Sequence, residues 1–182
     1  MRQTPENSEI ERCELAVSGL QIRDERPEDR AAIYELTRVA FETMPFSGGD
    51  EQDLVDALRL NGALTISLVA TRLHQIVGHI AFSPADSSTP DWYSLGTVSV
   101  LPELQRKGIG KQLIGEGLDR LRSLGAVGCI LVGDPRYYTK FGFQLAPDSA
   151  PSRQPKEYFM VIPLSEKPGP IPSLDFHPVF YQ

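Results

Sequence analysis

The middle of the chain alternates strand, helix and strand, and this order restricts the fold more than any other feature. Trp92–Val100 (WYSLGTVSV) is typical of a strand, which Leu101-Pro102 ends because proline cannot continue a hydrogen-bond ladder. Gly108–Gly125 carries apolar residues at helical spacing, and the apolar run Gly128–Val132 predicts a buried strand. A strand–helix–strand unit places its two strands in parallel. The sheet is therefore predicted to be at least partly parallel.

The remaining segments are predicted to add strands and helices around this unit. Before it, the pattern predicts a strand at Leu20–Arg23 and two helices, one from Pro27 to Ala40 and one at Asp50–Leu60. A hairpin follows, with strands at Leu64–Arg72 and Gln75–Ser83. After it, the pattern predicts a short helix at Pro135–Lys140 and two strands, at Phe143–Leu145 and Tyr158–Ile162. Ile171–Phe180 is predicted to be an edge strand or a wrapped tail, because two prolines restrict its pairing.

The length favours one domain of mixed α/β class, with a central, partly parallel sheet flanked by helices. A chain of 182 residues buries about 70% of its unfolded surface, so it needs neither disulfides nor a structural metal. Residues 1–19 lack clear apolar periodicity and are expected to be a mobile tail. The domain is expected to span residues 20–182, including a proline-rich C-terminal extension.

Charge and cysteine content exclude several classes of protein. The net charge of −6 argues against a surface that neutralises nucleic-acid phosphates. Cys13 and Cys129 belong to no Cys-x-x-Cys cluster, so neither a metal site nor a disulfide scaffold is expected. Met1–Leu20 has no apolar signal region, and no apolar run reaches the length of a membrane helix. We therefore expect a cytoplasmic protein without nucleic-acid or membrane partners.

The loop Gln105–Lys111 (QRKGIGK) joins the strand to the long helix and carries three cations and no acid. Backbone N–H groups and the dipole at a helix start can hold a phosphate. A solvated basic turn is the alternative. A P-loop is excluded because Gln105 and Gln112 occupy its Gly and Ser/Thr positions, and a Rossmann fingerprint is excluded by Leu113.

The loop matches the Gln/Arg-x-x-Gly-x-Gly/Ala signature of the GNAT acyl-CoA-dependent N-acetyltransferases, and Val98–Glu103 resembles that family's approach to the loop. A helix and a strand later, Tyr137–Phe143 (YYTKFGF) resembles the family's Tyr-x-x-x-Gly-Phe element. Ile76–Ile80 and Gly133–Tyr138 look like the bacterial YhbS-type branch of the family. The resemblance spans roughly Leu20 to the C-terminus and implies a GNAT-like fold.

The resemblance also implies acetyl-CoA as co-substrate, with no metal. Backbone amides from Arg106 to Lys111 would hold the pyrophosphate, and Val98–Val100 would pair with the pantetheine arm as an added strand does. Glycine at 108 and 110 lets the backbone approach phosphate oxygens closely. The implied cofactor-binding residues are Val98, Ser99, Val100, Gln105, Arg106, Lys107, Gly108, Ile109, Gly110 and Lys111. The three cationic side chains either contact phosphate oxygens or form a solvated face.

Tyr138 matches the family position proposed to protonate the departing thiolate. A tyrosine with a pKa of about 10 can donate to a thiolate whose conjugate acid lies near 8.5, although a packing aromatic is the alternative. His79 is a candidate general base, with a hydrogen-bonded structural histidine as the alternative. Other candidate proton acceptors are Glu42, Glu103, Asp134 and a water chain. Cys129 lies in an apolar run, which favours a buried small side chain over an acyl carrier.

The leading hypothesis is direct transfer of an acetyl group from acetyl-CoA to a primary amine of an unidentified small molecule or protein. The competing hypothesis is an acyl-CoA-binding sensor or regulatory module without turnover, from which an enzyme differs by releasing CoA in the presence of an amine. A nucleotide-binding protein is disfavoured by the two failed phosphate motifs. The sequence does not specify the acceptor amine or the acyl-chain length, and a homodimer stays open.

Overall fold

The computed structural model describes residues 19–42, 44, 47–166 and 169–182. These residues form a seven-stranded sheet with helices on both faces, and a second sheet of two short strands. The predicted mobile tail, apart from Gly19, lies outside the described residues, as does Cys13. The strands are β1 (Gln21–Asp24), β2 (Ile66–Arg72), β3 (Gln75–Pro84), β4 (Asp86–Ser87), β5 (Trp92–Val100), β6 (Gly128–Val132), β7 (Gln144–Leu145), β8 (Phe159–Pro163) and β9 (Leu174–Asp175).

The helices lie close to their predicted positions. In the described residues they are α1 (Arg30–Phe41), α2 (Glu51–Leu60), α3 (Ile109–Ser123) and α4 (Pro135–Tyr138). Short 3-10 helices occur at Pro27–Asp29, Pro102–Leu104, Thr139–Phe141, Pro147–Ser149 and Pro178–Tyr181. Within these ranges, every helix falls short of the length and apolar content that a bilayer crossing requires.

The main sheet has the strand order β1-β2-β3-β5-β6-β8-β7. β5 and β6 run parallel, and the other neighbouring strands are antiparallel. α3 connects the two parallel strands as a crossover helix, which a parallel pair requires. The predicted mixed, partly parallel α/β sheet is therefore confirmed.

The C-terminal extension adds no strand to the main sheet in the described residues. Instead, β9 pairs with β4, so that Leu174 lies opposite Ser87 and Asp175 opposite Asp86. The Phe176 ring then lies 5.0 Å from the Phe180 ring. Ile171–Phe180 thus combines both predicted alternatives, a short edge pairing and a wrapped tail, because its prolines interrupt the ladder after two residues.

α3 packs directly on β3, and two glycines make this close approach possible. A Cβ at Gly78 would lie 2.9 Å from Leu113 Cδ1, and a Cβ at Gly117 would lie 2.3 Å from the Phe82 ring. Both distances are shorter than van der Waals contact, so a larger residue at either position would displace the facing side chain or the helix. The glycines therefore set the height of α3 above the sheet, and with it the position of the loop that precedes the helix.

The opposite face of the sheet has two covers. α1 and α2 cover it beside β2 and β3, where Ile33 and Val55 pack with Val69. The C-terminal extension covers it beside β5, β6 and β8, where Phe176 packs in a cluster with Ile130. The sheet is thus buried on both sides, which explains why several of its strands are apolar runs rather than alternating ones.

A polar network ties α2 to β2 and β3 on this second face. Arg59, at the end of α2, donates from Nε and Nη2 to the Glu25 carboxylate at 2.8 and 2.9 Å. The Ser67 hydroxyl of β2 also donates to Glu25. His79 Nε2 lies 2.8 Å from Ser67 Oγ. Although burial by itself raises the pKa of Glu25, the hydrogen bonds from Arg59 and Ser67 bring it below its ordinary value.

His79 is the most deeply buried member of this network, with an exposed fraction of 0%. Burial lowers its pKa to about 4, because a charged imidazole would lose its hydration. The imidazole is therefore neutral at pH 7. Neutrality by itself suits a general base, but a pKa this low makes the imidazole a weak proton acceptor, and its ring has no exposed surface. Both properties favour the structural interpretation of His79 over its role as a general base.

We expect the free energy of unfolding to fall as the pH is lowered from about 7 to about 4. Unfolded His79 takes up its proton near pH 6.5 and folded His79 only near pH 4, so protons favour the unfolded chain between these values. The loss amounts to about 3 kcal/mol if the whole pKa difference is realised. Glu25 acts in the same direction at lower pH, because its pKa is also lowered. Denaturant unfolding at a series of pH values measures the effect.

Two asparagine variants identify the histidine responsible. His79→Asn should reduce stability at pH 7 and flatten the decrease between pH 6.5 and 4, since the titrating group is gone. His74 lies exposed in the turn between β2 and β3, so His74→Asn should retain the wild-type pH dependence. A full wild-type slope in His79→Asn would show that another group causes the decrease.

Candidate active site

The parallel strands β5 and β6 separate after a short paired segment. Their pairing covers Trp92–Ser94 on β5 and Gly128–Ile130 on β6, yet β5 continues to Val100. The backbone of β5 beyond Ser94 therefore has no β6 partner within the described pairs. The two strands form a wedge that is closed at Ser94 and opens toward the C-terminal end of β5.

Hydrogen bonds show which β5 groups face the open side of the wedge. The Leu101 N–H donates to Val77 O of β3, at 3.1 Å. Because N–H groups alternate in direction along a strand, the Val100 and Val98 N–H groups point away from β3, toward the wedge. Gln105 Nε2 donates to Val100 O at 3.2 Å, which agrees with this orientation. The wedge edge thus offers backbone donors at two alternate residues.

β5 also carries a bulge beside the wedge. Val98 lies opposite Ile80 of β3, whereas Leu95 lies opposite Phe82, so β5 has one residue more than β3 in this interval. The extra residue falls in Gly96–Thr97. A bulge here changes the direction of the backbone and of the side chains near the closed end of the wedge.

The predicted phosphate loop follows β5 and ends at α3. Arg106 and Gly108 both have positive φ, +59° and +89°, and Gly108 is the N-cap of α3. A Cβ at Gly108 would meet no atom within 4 Å, so the space outside this residue is open. The first turn of α3 contains no acidic residue. Its free amide N–H groups and the helix dipole therefore favour an anion.

The structure brings the predicted loop residues together, but their side chains point in different directions. Arg106 and Lys111 are exposed, and Lys107 Nζ donates to Glu103 O at 2.8 Å. Ile109 is 1% exposed and packs in the core beneath α3. The Ser99 hydroxyl donates to Thr37 Oγ1 of α1 at 3.1 Å, away from the loop. Ile109 and Ser99 can therefore offer the site backbone groups but not side chains.

Two tyrosines lie near the wedge, and their hydroxyls differ in position. The Tyr138 ring packs against β6, within 2.4 Å of where a Cβ at Gly133 would stand, and 6.0 Å from the Phe143 ring. The Tyr137 hydroxyl lies 3.0 Å from the corresponding point at Gly110, in the first turn of α3. Sequence reasoning missed Tyr137, although its place in the same motif as Tyr138 was the available signal.

Both phenols stay protonated at neutral pH. Burial raises the pKa of Tyr138 far above its ordinary value of 10, and burial raises the pKa of the half-buried Tyr137 as well. Lys140 Nζ lies 4.3 Å above the Tyr137 ring, so a cation stands on the solvent side of this pair. Either hydroxyl can therefore act as a hydrogen-bond donor.

The candidate bases are not gathered at the wedge. His79 is buried in the network with Ser67 described above. Asp134 accepts from the Arg136 N–H at 2.9 Å and caps α4. Glu42 and Glu103 are exposed. These positions match the structural alternatives of turn cap and solvated charge.

Cys129 is fully buried, as its apolar surroundings predict. Burial raises the pKa of its thiol, so the nucleophilic thiolate is strongly disfavoured. No group of three or more His, Cys, Asp or Glu side chains in the described ranges is arranged to hold a metal ion.

Comparison with known sequences agrees with the site geometry. The sequence profile of the acetyltransferase (GNAT) family matches residues 30–143. The uncharacterized N-acetyltransferase YhbS of Escherichia coli K12 is 39% identical to this chain over 128 residues, which are 69% of this chain and 74% of the relative.

Solved structures agree as well. A GNAT family acetyltransferase from Brucella melitensis, in complex with acetyl-CoA, has 44% sequence identity and a TM-score of 0.78, covering 88% of this chain and 97% of that one. YhbS from Escherichia coli, in complex with CoA, has 32% sequence identity and a TM-score of 0.81, and the match covers 90% of this chain and 92% of that one. The family profile, the YhbS identity and the shared fold together show that this chain belongs to the GNAT family of acetyltransferases.

Proposed function

We propose that this acetyltransferase moves an acetyl group from acetyl-CoA directly to a primary amine of a small molecule or protein. The observation that carries the proposal is the junction of two features, the open β5 edge and the acid-free start of α3. The open β5 edge can pair with the amide groups of the pantetheine arm, and the start of α3 can hold phosphate. The complexes of the two similar structures with acetyl-CoA and CoA support this choice of co-substrate.

The cofactor lies with its pyrophosphate on the backbone amides of Arg106–Lys111. The positive φ at Gly108 turns the chain so that successive amides face one side. The pantetheine arm runs from there into the wedge, where the Val98 and Val100 N–H groups face it. Lys107 must release Glu103 O if its ammonium is to reach a phosphate.

The reaction begins when the neutral amine nitrogen attacks the thioester carbonyl carbon. The carbonyl oxygen becomes an oxyanion, and a wedge N–H can stabilise it. The C–S bond then breaks, and the thiolate takes a proton. Tyr138 is the proposed donor, because burial keeps its hydroxyl protonated and the ring lies against β6 at the wedge. As the carbonyl re-forms and CoA leaves as the thiol, the Tyr138 phenolate regains a proton from solvent water.

The proton lost by the amine passes to solvent water in this mechanism. His79 is poorly suited to accept it, since burial lowers the pKa of the imidazole to about 4 and its ring has no exposed surface. Because no carboxylate or histidine is assigned as the base, the second candidate function is an acyl-CoA sensor without turnover.

Ligand-induced stabilisation and thiol release together test the proposal. Acetyl-CoA and CoA should raise the melting temperature, and a ligand at 100 times its Kd adds about 2.7 kcal/mol of stability. ATP should have a much smaller effect. Incubation with acetyl-CoA and a panel of primary amines should release free CoA thiol with at least one amine. Tight binding without thiol release across the panel would favour the sensor.

Substitution of Gly108 tests the phosphate loop. Gly108→Asp should weaken acetyl-CoA binding at least tenfold, because its carboxylate would stand beside the pyrophosphate. Isothermal titration calorimetry measures the affinity. Asparagine has the same size as aspartate but no charge. Gly108→Asn should therefore bind acetyl-CoA nearly as tightly as wild type.

Gly125 offers a matched control at the other end of α3. Its φ is +80°, and a Cβ there would also meet no atom within 4 Å. Gly125→Asp therefore introduces the same charge under similar backbone strain, and it should bind acetyl-CoA like wild type. Unchanged binding in a folded Gly108→Asp variant would remove the loop from the cofactor site.

The Tyr138 assignment is tested by removing each phenolic hydroxyl separately. With an amine that supports turnover, Tyr138→Phe should lower kcat about 100-fold when thiolate departure limits the rate, with little change in acetyl-CoA affinity. Tyr137→Phe should retain kcat within a few-fold. If Tyr137→Phe carries the large kcat loss instead, Tyr138 is a packing residue and the donor is misassigned.

A further inference from the structure

Thr97 has a buried hydroxyl that nothing in the described structure satisfies. The residue is 2% exposed, and its Oγ1 has no hydrogen-bond partner among the described residues. A buried hydroxyl without a partner costs free energy, because it has lost its hydrogen bonds to water. Such a group in a native protein requires an explanation, and a ligand that supplies the missing partner is one.

The neighbouring hydroxyls of the same strand show that Thr97 is the exception. Ser94 Oγ lies 2.8 Å from Ser83 Oγ of β3, and Ser99 Oγ donates to Thr37 Oγ1. Both are as buried as Thr97. β5 therefore pairs both of its serine hydroxyls within the protein. Among its described polar side-chain atoms, the Thr97 hydroxyl at the bulge and the Trp92 indole N–H at the start of the strand are buried without a partner.

The position of Thr97 corresponds to the reacting end of the cofactor. The phosphate loop stands at the open end of the wedge, after Val100, and the wedge closes at Ser94. An arm that enters past Val100 and Val98 brings its thioester toward the closed end. Thr97 and Gly96 occupy the bulge on that stretch of β5.

Apolar side chains lie beside the bulge. A Cβ at Gly96 would lie 3.5 Å from Phe180 Cζ, 3.7 Å from the Ala81 carbonyl oxygen and 3.8 Å from Leu58 Cδ1, so the C-terminal extension and α2 both approach the bulge. A hydroxyl in such surroundings forms a stronger hydrogen bond to a developing negative charge than it would in water.

We propose that the Thr97 hydroxyl donates a hydrogen bond to the carbonyl oxygen of the bound acetyl thioester. This assignment rests on the proposed acetyl transfer and adds a side-chain donor to the backbone donors of β5. The bond strengthens as the amine nitrogen adds to the carbonyl carbon and the oxygen gains negative charge. It relaxes when the carbonyl re-forms and the thiolate leaves. Thr97 itself keeps its proton throughout.

Two substitutions separate the hydroxyl from the shape of the side chain. Thr97→Val removes the hydroxyl and keeps the volume, whereas Thr97→Ser keeps the hydroxyl. Because the hydroxyl is unsatisfied in the free protein, Thr97→Val should unfold at the same denaturant concentration as wild type or a higher one. Thr97→Ala is a second hydroxyl-free variant if valine disturbs folding.

Calorimetry with acetyl-CoA and with CoA gives the first readout. Thr97→Val should bind acetyl-CoA at least fivefold more weakly than wild type and bind CoA within twofold of it, because CoA has no carbonyl at this position. Thr97→Ser should bind both like wild type. Equal weakening of both ligands would indicate a merely structural role and overturn the assignment.

Infrared difference spectra of acetyl-CoA labelled with carbon-13 at the carbonyl give the second readout. A hydrogen bond lowers the stretching frequency of a carbonyl group. The band should therefore shift to higher frequency in Thr97→Val and stay in place in Thr97→Ser. An unchanged band in Thr97→Val overturns the assignment of Thr97 alone. Failure of the wild-type protein to bind acetyl-CoA or CoA would overturn the proposed function, and this assignment with it.

Discussion

The short parallel pairing between β5 and β6 is the constraint on which the site depends. Three residues of each strand pair, and the strands then separate although both continue. α3 must cross from one strand to the other, and Gly78 and Gly117 let it lie close to β3 while it does so. The same arrangement therefore leaves a backbone edge open and places the positive end of a helix dipole beside it. The backbone groups that we propose bind the pantetheine arm and the pyrophosphate thus lie next to each other because of one arrangement of strands and helix.

The second face of the sheet holds two buried polar groups with different surroundings. His79 bonds to Ser67, and burial keeps it neutral, so it contributes to stability in a pH-dependent way. Thr97 has no such partner, and it lies in the bulge at the closed end of the wedge. His79 Nδ1 also lacks a partner among the described residues, but its Nε2 is held by Ser67, whereas the single oxygen of the Thr97 side chain has no bond at all. We infer that the Thr97 hydroxyl is the one available to a ligand, because it lies beside the wedge. The C-terminal extension takes part by placing Phe180 beside Gly96.

Sequence reasoning located the loop and the fold because both depend on local patterns. Glycines and cations at fixed spacing in Gln105–Lys111 identify a strand-to-helix junction, and helical periodicity identifies α3. It assigned the acid role to Tyr138 and did not weigh Tyr137, because the directions in which neighbouring residues of one motif point are decided by the packing. It left His79 open between base and structural residue, since an apolar strand does not reveal whether a serine lies opposite the ring.

The sequence by itself determined the α/β class, the parallel β5–α3–β6 unit, the acid-free loop at Gln105–Lys111 and the burial of Cys129. These follow from periodicity, from proline and glycine positions and from charge, which act over a few residues. The tertiary structure alone decided where β5 leaves β6, which amides face the gap, that the C-terminal extension pairs with β4, and that Thr97 lacks a partner. The physical reason is that hydrogen-bond partners across a sheet come from segments far apart in the chain, and a local sequence pattern does not specify which segments pair.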